Sequence, residues 1–97
     1  MATVVPLRAR DSIASRVARL RAWAGASARE VSALAGLSAS HISLIERGTR
    51  TEVSAATLGN IATLFGTTIE WLLSGVGDAP TQASVQQAVD VARRRAS

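Results

Sequence analysis

From residue 12 onwards, the apolar positions of this chain recur at the spacing of an amphipathic helix. The first series has steps of four, three and four residues and comprises Ile13, Val17, Leu20 and Ala24. This spacing places all four side chains on one helix face. Asp11 or Ser12 can cap the start of this first helix, and Gly25 can close its end.

Two short helices on either side of a glycine are predicted next. Ser27 and Glu30 have the spacing of a capping box, so the second helix should begin at Ala28. Gly36 supplies the positive φ angle that a sharp turn needs. Ser38 then offers a cap for a third helix, whose inward residues are Ile42 and Ile45 and whose stop is Gly48.

Three more helices follow. The fourth has Ser54 as its cap, and its buried positions are predicted to be Leu58, Ile61, Ala62 and Phe65, with Gly66 at its end. The fifth should open with a second capping box, Thr67 to Glu70, and its core contacts are predicted to be Ile69, Leu72 and Leu73, with Trp71 beside them. After a linker at 76–80, residues 81–97 predict a sixth helix with a narrow apolar face of Val85, Ala88, Val89 and Ala92.

The domain organisation follows from these elements. We expect an all-α protein with a flexible basic arm at 1–11, a helical domain at 12–75, the linker, and an appended C-terminal helix. The arm carries Arg8 and Arg10. These two arginines either enter the minor groove of a DNA duplex or stay disordered.

Composition narrows the choice of function. The chain has 97 residues, enough for one domain, with no cysteine and a formal charge of +4, and all eleven basic residues are arginine. Arginine binds phosphates and guanine edges through two bonds at once, so nucleic acid is the natural partner. One histidine and no cysteine leave the usual catalytic and metal-ligating sets absent, so we expect neither an enzyme nor a cofactor. No signal peptide or membrane span is evident, which predicts a cytoplasmic protein without a membrane partner.

The segment from Ala28 to Arg47 has the pattern of a helix-turn-helix. Val31 and Ala35 face inward, Gly36 makes the turn, and Leu37 fills it. One position departs from expectation, because Ser32 stands at a close-packed site where alanine would be expected.

Several segments together resemble the Cro/C1-type helix-turn-helix family of phage repressors and bacterial regulators. They are the stretches 12–17, 45–48 and 70–75, with sequences SIASRV, IERG and EWLLSG. The resemblance covers about residues 12–75 and implies a five-helix, lambda-repressor-like domain. It also implies that Arg21 pairs with Glu46, and that the second motif helix enters the major groove of double-stranded DNA.

The resemblance further implies which residues contact DNA. The positions that match base-contacting ones are Ala39, Ser40, Ser43 and Leu44. They lack the long polar side chains common in the family, so small contacts and indirect readout are expected to replace them. The expected contacts to the DNA backbone are Ala28, Arg29, Ser38, His41, Arg47 and Arg50. Ordinary surface charge is the alternative explanation for the arginines, and a solvated surface residue is the alternative for His41.

Dimerisation is expected, since one motif buries too few contacts for tight specific binding. The predicted interface comprises Trp71, Leu72, Val85 and Val89. Packing of the last helix on its own domain is an equal alternative. A repressor acting as a homodimer on an inverted repeat is the preferred function. The alternatives are an antitoxin-like protein whose C-terminal helix binds a protein partner, and a controller or activator that contacts RNA polymerase.

Overall fold

Six α-helices make up the regular structure of residues 12–48 and 53–97, the part of the chain that the computed structural model describes. They are α1 (Ile13–Ala24), α2 (Ala28–Leu34), α3 (His41–Glu46), α4 (Ala55–Phe65), α5 (Ile69–Ser74) and α6 (Gln82–Ala96). No β-strand occurs in these ranges. The predicted all-α class, with five helices and an appended sixth, is confirmed. The predicted arm at 1–11 lies outside the described residues.

One apolar core joins all six helices. Its fully buried members include Leu20 of α1, Ile42 of α3, Phe65 of α4, Leu72 of α5 and Val89 of α6. The last helix packs along α1 and α4 and also touches α2. Because α6 contributes to the common core, it belongs to the domain rather than extending away from it.

Local capping sets most helix ends where the sequence predicts them. Ser12 and Ser54 cap α1 and α4 by accepting hydrogen bonds from backbone N–H groups of their first turns. Gly25 and Gly66 end the same two helices in the left-handed conformation, at φ 64° and 71°. Both ends of these helices are therefore fixed by residues next to them in the chain.

Two predicted starts were wrong. The third helix begins at His41, because Ser38 does not cap it but forms a turn in which its carbonyl accepts from the His41 N–H. The fifth helix is capped by Thr68, whose hydroxyl accepts from the Trp71 N–H, and not by Thr67.

The apolar face of α5 also differs from the prediction. Trp71 and Leu72 are buried, whereas Ile69 and Leu73 are 39% and 52% exposed. A helix of six residues has less than two turns, so its spacing does not determine which face turns inward.

An ion pair joins α6 to the start of α2. The Arg93 guanidinium donates from Nε to Glu30 Oε2 at 2.9 Å and from Nη2 to Glu30 Oε1 at 3.0 Å. The predicted capping box is therefore only half formed: Ser27 accepts from the Glu30 N–H, but the Glu30 carboxylate turns to Arg93. The result is a fixed position for α6 against the first motif helix.

The Glu30–Arg93 pair predicts a dependence of stability on pH. Hydrogen bonding from Arg93 lowers the pKa of Glu30 below its ordinary value of 4.5. Since the folded-state pKa is depressed, the stabilisation is present above 4.5 and is lost as the pH falls through the folded-state value. We expect Glu30→Gln to lose less stability on acidification than the wild type, measured by urea unfolding at neutral pH and below 4.5. Equal losses in the two proteins would show that the pair does not stabilise the fold.

Candidate nucleic-acid interface

The turn between α2 and α3 is closed by backbone hydrogen bonds around Gly36. Gly36 has φ +74°, its N–H donates to Ala33 O at 3.1 Å, and the Leu37 N–H donates to Ser32 O at 2.8 Å. These two bonds are the pair that closes a helix before a left-handed residue. Leu37 then packs against the core. The chain leaves α2 in a fixed direction, which sets the approach to α3.

The start of α3 is held by a side chain from α2. Ser40, at the N-cap position, makes no capping bond through its hydroxyl. Instead, the fully buried Ser32 Oγ accepts from the Ile42 N–H at 3.1 Å. This bond satisfies one of the N–H groups that a helix leaves unpaired in its first turn. The serine found where alanine was expected therefore ties the two motif helices together.

Replacing Ser32 with alanine is expected to lower the free energy of unfolding by about 1–2 kcal/mol, because the buried Ile42 N–H loses its partner. Urea unfolding measures this loss. Ser74→Ala is the matched control, since the Ser74 hydroxyl makes one exposed bond to Glu70 O. If both variants are as stable as the wild type, the Ser32 bond does not support α3.

A bidentate ion pair holds the end of α3 against α1. Arg21 Nε lies 2.7 Å from Glu46 Oε2, and Nη2 lies 2.8 Å from Glu46 Oε1. The same guanidinium donates to Ala26 O at 3.1 Å. The hydrogen bonds that Arg21 donates to the Glu46 carboxylate, together with the negative charge of that carboxylate, raise the pKa of Arg21. The pair implied by the family resemblance is thus present, and it joins α1, the loop before α2, and α3.

Removing either partner is expected to destabilise the fold. Glu46→Ala should cost about 2–3 kcal/mol, less than a fully buried pair, because water still reaches part of the Arg21 side chain. A double-mutant cycle with Arg21→Ala, read by urea unfolding, isolates the pairwise coupling, which we expect to be about 1–2 kcal/mol. Additive losses would contradict a direct coupling.

The residues predicted to contact bases lie at the open end and side of α3. Ala39 and Ser40 are exposed, and Ser43 and Leu44 are half-buried. The buried anchors Ile42 and Ile45 and the Glu46 pair hold the opposite side of the helix. This arrangement leaves the N-terminal end of α3 accessible while its inner side is fixed.

Two exposed arginines belong to the motif, Arg29 in the first turn of α2 and Arg47 at the C-cap of α3. Arg29 is exposed and makes no hydrogen bond or ion pair within the described residues, and Arg47 is exposed with only a long bond, 3.4 Å, from Nε to Ser43 O. The acidic groups of the motif, Glu30 and Glu46, are each paired with an arginine. The net local charge therefore favours an anionic partner.

The remaining residues predicted to contact the DNA backbone differ in their exposure. Ser38 is exposed, and Ala28 and His41 are half-buried. Arg50 lies outside the described residues.

A family model for a helix-turn-helix domain matches residues 12–73, well over half of the chain. The chain belongs to the helix-turn-helix domain family. The match is consistent with the Cro/C1-type resemblance and identifies a DNA-binding regulator, from a family that is typically not enzymatic. Comparisons with curated proteins and with solved structures found no match.

The helix-turn-helix domain buries the residues predicted to form a dimer interface. Trp71, Leu72, Val85 and Val89 are at most 4% exposed in the single chain. Their side chains are part of the core that α5 and α6 form with the rest of the domain. In this conformation a partner cannot contact these four side chains, so the predicted interface does not fit the single chain as the structure shows it.

Two structural features are absent from the described residues of the helix-turn-helix chain. Within residues 12–48 and 53–97, no helix is long and apolar enough to cross a membrane. The same ranges contain no group of three or more histidine or acidic residues placed to hold a metal ion.

Proposed function

We propose that this protein is a transcriptional repressor that binds an inverted-repeat operator as a homodimer, with the N-terminal end of α3 in the major groove. The observation that carries the proposal is the exposure of Ala39 and Ser40 at the start of a helix whose inner side is anchored. A helix held in this way presents its first side chains to base edges. Repression, in particular, is supported by the resemblance to phage repressors.

Base recognition rests on small side chains. Ser40 and Ser43 each offer a single hydroxyl for a hydrogen bond, and Ala39 and Leu44 offer apolar contacts to thymine methyl groups. Such contacts discriminate less than bidentate ones. Sequence-dependent DNA shape therefore supplies part of the specificity.

Backbone contacts supply most of the affinity. Arg29 and Arg47, the exposed arginines of the motif, are the strongest candidates, and Arg50 follows Arg47 closely in the sequence. Ala28, Ser38 and His41 complete the surface that faces the phosphates. Each true ionic contact removed should reduce the slope of binding against salt by about one unit.

An exposed apolar patch around α5 supports the dimer. The α5 patch consists of Ile69, Leu73 and Val76, which are 39%, 52% and 56% exposed. These are the large apolar side chains that the described domain leaves open to water. A second copy of the chain would cover this patch. The half-sites read by the two α3 helices of such a dimer are expected to lie about 34 Å apart, one turn of DNA.

The experiment is selection of bound sequences from random duplex DNA. We expect an enriched inverted repeat with a fixed spacing for the wild type. The variant Leu73→Glu, which places a charge in the α5 patch, should enrich single half-sites instead. Failure to enrich any sequence would contradict sequence-specific binding, and a repeat retained by Leu73→Glu would contradict dimerisation through α5.

The alternative of an antitoxin-like protein or a controller using α6 to bind a partner gains no support from the fold. Val85 and Val89 are buried, and the Glu30–Arg93 pair fastens the helix to α2. Binding a partner through this apolar face would require α6 to leave the domain.

A further inference from the structure

A groove runs between the end of α2, the middle of α4 and the last turns of α6. Its volume is about 690 Å³, within the roughly 300–1,000 Å³ typical of small-molecule sites. Its apolar lining includes Leu34, Leu64 and Val91. None of the predicted DNA-contacting residues lines it, so it is separate from the surface proposed above.

Three polar side chains line the same groove. They are Asn60, Thr63 and Arg95, and none of the three side chains makes a hydrogen bond or ion pair within the described part of the chain. Arg93, two residues earlier, contrasts with Arg95 because it is paired with both Glu30 and Asp90. The groove therefore combines an apolar lining with one unpaired cation and two neutral hydrogen-bonding groups.

We infer that this groove binds a small apolar carboxylic acid, with its carboxylate at Arg95 and its hydrocarbon body against Leu34, Leu64 and Val91. A guanidinium matches a carboxylate in shape and charge and can bond both oxygens. Asn60 and Thr63 can donate further bonds to the same head group. A cationic ligand is repelled by Arg95, and a second copy of this chain brings its own formal charge of +4 toward the same cation.

The groove lies next to the turn of the helix-turn-helix motif. Ala35, which lines it, directly precedes the turn glycine Gly36. A ligand seated in the groove thus touches the last residues of α2 before the chain turns to α3. The inference itself does not rest on DNA binding, because the groove and its polar groups are properties of the free protein.

Octanoate is the probe, and octanamide is its uncharged counterpart of equal length. Each is titrated into the full chain, labelled with nitrogen-15, while amide shifts are recorded by nuclear magnetic resonance. We expect saturable shifts centred on the ends of α2 and α6 and the middle of α4. Binding of octanamide should be about tenfold weaker, the loss expected when a charge-assisted hydrogen bond is removed.

Arg95→Gln and Arg94→Gln form the matched pair of variants. Both remove one arginine from the last turn of α6, but only Arg95 lines the groove. We expect Arg95→Gln to weaken octanoate binding about tenfold and Arg94→Gln to change it less than about twofold. Far-UV circular dichroism checks that both variants keep their helices.

Three results would overturn the inference. One is the absence of saturable shifts with octanoate. Another is equal weakening by the two variants, which would indicate non-specific attraction to the basic helix end. The third is a set of groove shifts that follow protein concentration rather than octanoate, which would assign the groove to a second copy of the chain.

Discussion

Replacing Arg16 with alanine is expected to lower the free energy of unfolding by about 3–5 kcal/mol. The Arg16 side chain lies in the interior, with the residue only 2% exposed. Its Nε donates to Leu72 O and its Nη2 to Leu73 O, each at 2.8 Å. These carbonyls belong to the last turn of α5, where a helix has no backbone partners for them and where its dipole favours a cation. Alanine would leave a cavity and remove both bonds at once.

Urea unfolding of two further variants makes this test specific. Arg19→Ala removes an exposed arginine from the same helix and should change stability by less than about 0.5 kcal/mol. Arg16→Lys keeps the charge but lacks the planar guanidinium that reaches two carbonyls. Its loss in the free energy of unfolding should therefore lie between those of Arg19→Ala and Arg16→Ala. This lysine variant also preserves a readout if the alanine variant does not fold. Equal stability of Arg16→Ala and Arg19→Ala would show that the buried arginine does not hold α5.

The elements that could be predicted from sequence are those fixed by neighbouring residues. The apolar spacing of α1 and α4 covers about three turns each, and serine and glycine at their ends act on adjacent backbone groups. The turn at Gly36 belongs to the same class. Local patterns of this kind are sufficient because both the cause and its effect lie within a few residues.

The features that were missed connect positions far apart in the chain. Arg16 bonds residues 56 and 57 positions away, and Arg93 bonds Glu30 at a separation of 63. No periodicity in the sequence distinguishes such an arginine from one on a solvated face. The capping role of Ser32 was also hidden, since its partner Ile42 lies beyond the turn. The sequence offered one indication of this role, namely a serine at a close-packed position where alanine was expected.

The position of the last helix illustrates a different limit. The apolar face of Val85 and Val89 could pack on its own domain or on a partner, because the spacing of the valines does not identify the surface that they contact. Contact with α1 and α4 decides the matter in favour of the domain. The α5 patch, which we propose as the dimer surface, includes Ile69 and Leu73, two residues that the helical spacing predicted to be core contacts.

A negative charge at Ser40 is expected to have a large effect on DNA binding. Ser40→Glu is expected to weaken binding by at least about 100-fold, because it places a negative charge at the end of α3 that we propose faces the DNA. The substitution should leave the fold intact. Ser40 is exposed, its side chain makes no capping bond, and a carboxylate at a helix N-terminus is favoured by the helix dipole.

Gln87→Glu is the matched control. Gln87 is exposed on α6, outside the motif, and its replacement changes the net charge by the same amount as Ser40→Glu. Electrostatic repulsion spread over the whole protein would affect both variants equally. A contact at the start of α3 affects only the first.

The most direct test of DNA reading by α3 is therefore a fluorescence anisotropy titration of the selected duplex with the wild type and these two variants, at one fixed salt concentration. We predict that Gln87→Glu binds within about threefold of the wild type, whereas Ser40→Glu loses at least about 100-fold while remaining folded. Equal binding by the two variants would contradict the placement of α3 in the major groove.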